Sequence, residues 1–208
     1  KKSRVLSDKE KKIVAYHEVG HALVGYLMPG SGRVEKISIV PRGMAALGYT
    51  LQLPTEDRFL LDEVELRGQI ATLLGGRSAE EVVFDSITTG ASNDLQRATD
   101  LAERMVRSYG MSKVLGPLAY EQQQAMFLNE GPNRRSVSEQ TAEAIDREVK
   151  DIVEAAHQQA LDILKANREL LETIATKLLE TEVIEGEPLH ELLGQVKSVE
   201  AALPAGVA

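Results

Sequence analysis

Cysteine is absent from this 208-residue chain. That excludes disulfide staples and thiolate metal sites, and it fits a reducing compartment. Basic charge is scarce as well: 24 Lys and Arg stand against 32 Asp and Glu, a formal net charge of -8. Nucleic-acid surfaces are ordinarily basic, so nucleic acid is set aside as a partner. No apolar run approaches the roughly 18–20 residues that cross a bilayer, and no signal-peptide pattern opens the sequence. The segment is therefore expected to be soluble and to make no membrane contact of its own. No internal repeat is visible, and no G-x-x-x-x-G-K-[ST] phosphate loop occurs. The first residue is Lys1 rather than Met, which suggests a fragment of a longer protein. The length still suffices for a real core.

Against these absences stands one dense signal, His17-Glu18-Val19-Gly20-His21. Ser7 and Glu10 form an S-x-x-E capping box just upstream, and helical spacing follows through Ile13, Tyr16, Gly20, Val24 and Leu27 until Pro29-Gly30. On a helix, positions i and i+4 share a face, so His17 and His21 can reach one metal ion. Glu18 projects beside them. It is too short to reach the same metal without distorting the helix, so general base is its better role. The bland alternative makes both histidines core residues. Gly20 argues against it, because an interior helical Gly costs about 1 kcal/mol relative to Ala and implies a close neighbour.

The rest of the chain reads as mainly α, with a small β-sheet or hairpin. Residues 34–40 and 48–53 alternate as strands around the turn Pro41-Arg42-Gly43. Gly48, Tyr49 and Thr50 open the second strand, which as an exposed edge could bind an extended substrate through its backbone. An ordinary hairpin strand is the equal alternative. Helical spacing returns over 57–74, Gly75-Gly76 interrupts it, and a shorter helix follows over 78–84. Ser92 or Asn93 could cap a helix over 94–108. Residues 121–135 read as an exposed loop. Beyond Ser138, apolar stripes through Ile145, Val149, Ile152, Ala156 and Ile163, then Leu170, Leu171, Ile174, Leu178 and Leu179, predict two long helices reversing near Asn167. A short helix follows over 189–193. The expected organisation is a zinc-peptidase core over 1–135, a C-terminal helical hairpin over 136–200 packed on it, and a disordered tail over 201–208.

A catalytic zinc needs three protein ligands and an open position for water. The metzincin continuation of the motif would place Gly at position 24 and His at 27, where Val24 and Leu27 stand. A thermolysin-like Glu about two dozen residues downstream is missing too, since no Glu lies between Glu35 and Glu56. The third ligand is therefore distant. Glu80, Glu81, Asp94, His157 and His190 are the candidates, and residue type and spacing leave Glu80 and Asp94 unseparated. A carboxylate off the metal could instead accept the second ring N–H of a ligand histidine.

Taken in order, His17–His21, Pro41-Arg42-Gly43 with Leu47-Gly48-Tyr49-Thr50, Gly75-Gly76-Arg77-Ser78-Ala79-Glu80-Glu81, Thr89-Gly90-Ala91-Ser92-Asn93-Asp94-Leu95, Tyr109-Gly110-Met111-Ser112 and Leu115-Gly116-Pro117-Leu118 closely resemble the FtsH family of ATP-dependent, membrane-anchored AAA zinc proteases. The resemblance spans nearly the whole chain. It implies a mostly helical C-terminal protease domain, assembled as a homo-hexamer and fed with unfolded or membrane proteins. It implies Zn2+ held by His17, His21 and Asp94, and it leaves Glu80 a supporting role beside the histidines. The family's ATP and Mg2+ would belong to an ATPase domain outside this sequence. Its membrane anchor would also lie outside, in a bacterial inner membrane or organellar equivalent, with this part on the cytoplasmic or equivalent side. Two other readings remain: a non-catalytic helical oligomerisation module with a structural metal, and a zinc hydrolase of non-peptide substrates.

Overall fold

The computed structural model describes residues 5–42, 46–122, 133–134 and 137–199. Its first helix, α1 (Asp8–Leu27), begins where the sequence places it. The Ser7 hydroxyl accepts from the Glu10 N–H at 3.2 Å, and the Glu10 carboxylate accepts from the Ser7 N–H at 2.9 Å. Two orphan donors of the first turn are thereby satisfied. The chain leaves α1 at Met28 and turns through Gly30, whose φ of 76° is open to glycine at little cost.

Two strands follow, β1 (Arg33–Ser38) and β2 (Tyr49–Leu53), antiparallel, with Ile37 opposite Thr50 and Ser38 opposite Tyr49. The Arg42 N–H donates to the Ala46 carbonyl at 2.9 Å across their connection; Gly43 of the expected turn lies outside the described residues. The strands are slightly shorter than the alternation over 34–40 and 48–53 suggests. A third strand was not anticipated. Residues Val183–Glu185 pair with the other side of β1, giving the order β2-β1-β5 once two short strands, β3 (Glu121–Gln122) and β4 (Asn133–Arg134), are counted. Three residues are too few to show a period, so β5 left no mark in the sequence. The consequence for the site is that β2 lies at the sheet edge.

The expected interruption at Gly75-Gly76 is wrong. One continuous helix, α2, runs Glu63–Phe84. It also starts later than spacing suggests, at a capping box formed by Asp62 and Glu65. The glycines are there because α1 and α2 cross with backbones nearly touching. A Cβ built on Gly20 would lie 2.4 Å from the Gly75 carbonyl oxygen and 2.6 Å from the Ala79 Cβ. A Cβ on Gly75 would lie 2.8 Å from the Gly20 oxygen. Glycine inside a helix is a propensity cost that this packing outweighs.

Helix α3 (Ser92–Arg107) follows a single 3-10 turn at Thr89–Ala91. Neither Ser92 nor Asn93 caps it: α3 has no side-chain cap, and Thr88 instead caps the 3-10 turn by accepting from the Gly90 N–H. The two stretches Glu139–Ala166 (α4) and Arg168–Thr181 (α5) are separate helices that meet at Asn167, where the sequence places the boundary, and they pack mainly on other elements rather than along each other. The Asn167 amide bridges Ile163 to the chain at Lys197, donating to both carbonyls at 2.9 Å and accepting from the Lys197 N–H at 2.7 Å. Helix α4 packs across α2 and α3, and α5 packs across α1. Their apolar stripes thus enter one buried cluster with Val19, Leu23, Ile70 and Leu74. Helix α6 (Gly186–Leu193) closes the described fold against β1. The molecule is mainly α with a small antiparallel sheet. No helix among the described residues is long and apolar enough to cross a membrane. The inner part of the 121–135 loop and the tail from residue 200 onward lie outside the described residues.

The crossing makes a direct prediction. Gly20→Ala raises helix propensity by about 1 kcal/mol, yet it forces two backbones apart, and overpacking of this kind costs about 1–3 kcal/mol. The variant should unfold at lower urea than the parent chain. An unchanged or higher midpoint would refute the contact.

Candidate metal centre

The helical spacing of His17 and His21 on α1 points both rings at α2. Each ring is held by its Nδ1. His17 Nδ1–H donates to Glu80 Oε2 at 2.7 Å, and His21 Nδ1–H donates to the Thr72 carbonyl at 2.8 Å. Both acceptors belong to α2. With the Nδ1 protons so committed, both Nε2 atoms are turned toward a common point. From α3, Asp94 brings its Oδ2 to the same point, 3.3 Å from His17 Nε2 and 3.2 Å from His21 Nε2, while the two Nε2 atoms stand 3.0 Å apart.

These separations suit a zinc ion. Bonds of 2.0–2.1 Å in a tetrahedron place ligand atoms about 3.3 Å from one another. The donor chemistry fits as well: two imidazole nitrogens and one carboxylate, with each histidine anchored through its other nitrogen. No other group of three His, Asp or Glu side chains among the described residues converges this way. Gly76 is a condition of the arrangement. A Cβ there would sit 2.4 Å from His17 Nε2, on the imidazole itself.

The rival candidates are engaged elsewhere. His157 lies 2.9 Å from Glu81, which also pairs with Arg77 at 3.1 Å. His190 lies 2.9 Å from Arg33. Glu80 is 1% exposed and touches the centre only through His17; its other oxygen accepts from the Thr88 hydroxyl and N–H at 2.6 and 3.1 Å. Both carboxylates left level by the sequence thus meet His17, Asp94 at Nε2 and Glu80 at Nδ1. The sequence missed the Thr72 carbonyl, Thr88 and Gly76. A backbone carbonyl leaves no residue-type signal, and Gly75-Gly76 looked like a helix break.

Glu18 leans the other way, toward β2. The Thr50 hydroxyl is within hydrogen-bonding distance of both the Glu18 carbonyl, at 2.9 Å, and Glu18 Oε2, at 3.0 Å. A Cβ on Gly48 would be 3.1 Å from the Glu18 Cγ. Two of the three strand residues expected to meet substrate thus seat Glu18. Tyr49 faces outward, its ring under the Arg42 guanidinium at 4.0 Å and its hydroxyl accepting from Arg42 at 2.9 Å. Glu18, Gly48, Tyr49 and Thr50 line one open groove with His17, His21 and Asp94, of about 1400 Å³ and bounded by α1, β2, the turn at Thr88–Gly90 and α3. That is roomier than the 300–1,000 Å³ or so of a small-molecule pocket.

Electrostatics couple the three ligand candidates. Burial opposes a charge on His17, but its hydrogen bonds to Asp94 and Glu80 outweigh it and raise the pKa from 6.5 to about 9. Burial also opposes charge on Asp94, yet the hydrogen bonds from His17 and His21 hold its carboxyl well below the ordinary carboxylate range. Glu80 is likewise lowered, burial being outweighed by His17 and Thr88. In a metal-stripped chain, the raised His17 pKa contributes stability in full below pH 6.5 and loses it as pH rises through about 9. The lowered carboxylates contribute above their ordinary values of 3.8 and 4.5, and that contribution is lost as pH falls through their folded values. Metal binding must displace the His17 proton. Zinc affinity should therefore rise about tenfold per pH unit from pH 7 to about 9 and then level off, as titration calorimetry across buffers can measure. An affinity flat over that range would contradict the coupling.

Residues 4–192 match the model of peptidase family M41. The chain is 76% identical over 201 residues to a Synechocystis protein named ATP-dependent zinc metalloprotease FtsH 4, covering 95% of this chain and 32% of that protein. Proteins named ATP-dependent zinc metalloprotease FtsH from Acaryochloris marina and Thermotoga maritima are 64% and 48% identical, each over 94% of this chain and 30% and 32% of their own length. The chain spans about a third of the length of these relatives. With a match over nearly its full length, the chain belongs to peptidase family M41.

Proposed function

We propose that this chain is the zinc-dependent endopeptidase domain of an ATP-dependent, membrane-anchored protease, with His17, His21 and Asp94 as the metal ligands. The observation that carries the reading is the convergence of three donor atoms at about the spacing of zinc ligands, with Glu18 beside them in an open groove. Zinc held there supplies a Lewis acid that polarises a carbonyl and lowers the pKa of water to about 7. Glu18 takes the proton of the attacking water and passes it to the departing amine. Thr50 orients Glu18 for that transfer. Glu80 fixes the tautomer of His17, and the Thr72 carbonyl fixes that of His21. The edge of β2 along the groove, unpaired among the described residues, suits an extended peptide added as a further strand. Backbone pairing reads little side-chain identity, which fits unfolded or damaged proteins, membrane proteins among them, as substrates.

ATP hydrolysis with Mg2+, the membrane anchor and most of a homo-hexameric assembly fall, on this proposal, to the two-thirds of the relatives that this chain does not cover. The domain would work on the cytoplasmic or equivalent side of the membrane. A closed structural metal with four protein ligands is disfavoured, because three donors converge and the groove leaves the fourth side open.

Glu18→Gln should lower peptidase activity on an unfolded substrate such as casein about 10²–10⁴-fold while zinc content stays at one per chain. Full activity in that variant would remove Glu18 as the base. For the third ligand, Asp94→Asn should empty the site in metal analysis. Glu80→Gln should weaken zinc about 10–100-fold, as loss of a supporting partner does. The opposite ranking would exchange their roles.

A further inference from the structure

Edge strands ordinarily carry a charge, a proline or a bulge that discourages pairing. The strand β2 reads Tyr49-Thr50-Leu51-Gln52-Leu53, with no charge and no proline, and among the described residues only β1 pairs with it. Its side chains alternate. Thr50 and Gln52 lie opposite the buried Ile37 and Val34, so they face the core and the Glu18 side of the strand. Tyr49, Leu51 and Leu53 form the outer row. Arg42 covers Tyr49. Leu51 and Leu53 are uncovered, 39% and 47% exposed. Their cross-strand neighbours on β1, Lys36 and Arg33, have their charges paired: Lys36 with Glu185 at 3.0 Å and with the Tyr49 hydroxyl, and Arg33 with Glu35 at 3.2 Å and His190 at 2.9 Å. The outer face of the edge therefore offers two apolar side chains, about 7 Å apart along the strand, flanked on β1 by cations that are already paired.

From this we infer that Leu51 and Leu53 are specificity-determining residues. They select substrate segments carrying apolar side chains at two alternate positions, i and i+2, of the strand laid against β2. The inference rests on the peptidase reading above and names the substrate class for the same groove. The occupant is fixed by continuity, since Leu51 and Thr50 line the groove that holds His17, His21, Glu18 and Asp94. A peptide paired with the free edge turns alternate residues to opposite faces. One set meets the Thr50–Gln52 side, near the reacting bond. The other set lies beside Leu51 and Leu53, where directly opposed apolar pairs stabilise the pairing and polar residues gain nothing. Selection therefore follows a two-residue period.

The test compares two fluorescent peptides of equal length and charge, one with Val and Leu at the alternate positions and one with Thr and Ser there. Binding is read by anisotropy on the zinc-loaded Glu18→Gln chain, so the measurement does not depend on turnover. The apolar peptide should bind roughly two- to thirtyfold more tightly, the scale of two cross-strand pairs. Adding Leu51→Thr and Leu53→Thr, which keep a strand-compatible branched residue, should bring that ratio near one. Leu51→Val with Leu53→Val should preserve it and shows that the strand still folds. A ratio near one in the Glu18→Gln chain itself, or a ratio unchanged by the threonine pair, overturns the inference. Hydrolysis of the same peptides by the chain with Glu18 intact is scored separately. Failure to cleave either peptide counts against the peptidase reading, whereas a lost binding ratio counts only against the leucine row.

Discussion

The approach of α1 to α2 at Gly20 and Gly75 is the constraint on which the candidate site depends. With a Cβ at either position the two backbones could not lie as they do. At that separation a histidine ring on α1 lies flat on α2, and α2 can offer a backbone carbonyl and a buried carboxylate to the inward nitrogens. The Thr72 carbonyl is within reach only because the helices touch, and Glu80 reaches His17 for the same reason. The histidines are thus aimed by the partner helix more than by their own. A wider crossing would leave two rings free to rotate, and buried Glu80 would lose its main partner. Removing one member of such a buried pair is costly, because the remaining charge stays desolvated.

The same crossing explains where sequence reading succeeded and where it failed. Features written in local spacing were legible: the capping box at Ser7, the i and i+4 histidines, the stripes of α4 and α5, and the boundary between them at Asn167. Local rules misread Gly75-Gly76, since glycine lowers helix propensity and nothing nearby reveals a helix pressed against it. The same holds for β5, three residues whose strand character exists only because β1 lies alongside. For the third ligand, residue type and spacing left Glu80 and Asp94 level. Both are carboxylates on helices far from His17 in sequence, and the two differ in which nitrogen they meet: Glu80 faces Nδ1 and Asp94 faces Nε2. Such a distinction exists only in three dimensions. The family resemblance separated them through the order of motifs.

Strand β2 serves two purposes that residue order alone did not separate. Its inward residues seat Glu18, and its outward residues and free edge remain available. Because neighbouring strand residues point to opposite faces, five residues can hold the Glu18 carboxylate on one side and leave the other side exposed. A one-residue slip of β2 against β1 would exchange these roles, turning leucines toward Glu18 and Thr50 toward solvent. The core packing of Ile37 and Val34 against that inner face opposes such a slip.

The position of Asp94 has a further effect on the chain as a whole. It stands 77 residues beyond His17 and on a different helix. An ion shared by the two joins distant parts of the polypeptide and closes a long loop that the unfolded chain would otherwise leave open. The entropy lost by the unfolded state on such closure grows with loop length, and an ion that binds the folded arrangement favours it by mass action. In a sequence without cysteine, the metal can act as the chain's one covalent-like staple. Removing it would loosen the docking of α3, which would then rest on its packing against α2 and α4 and on the pairing of Asp94 with the two histidines.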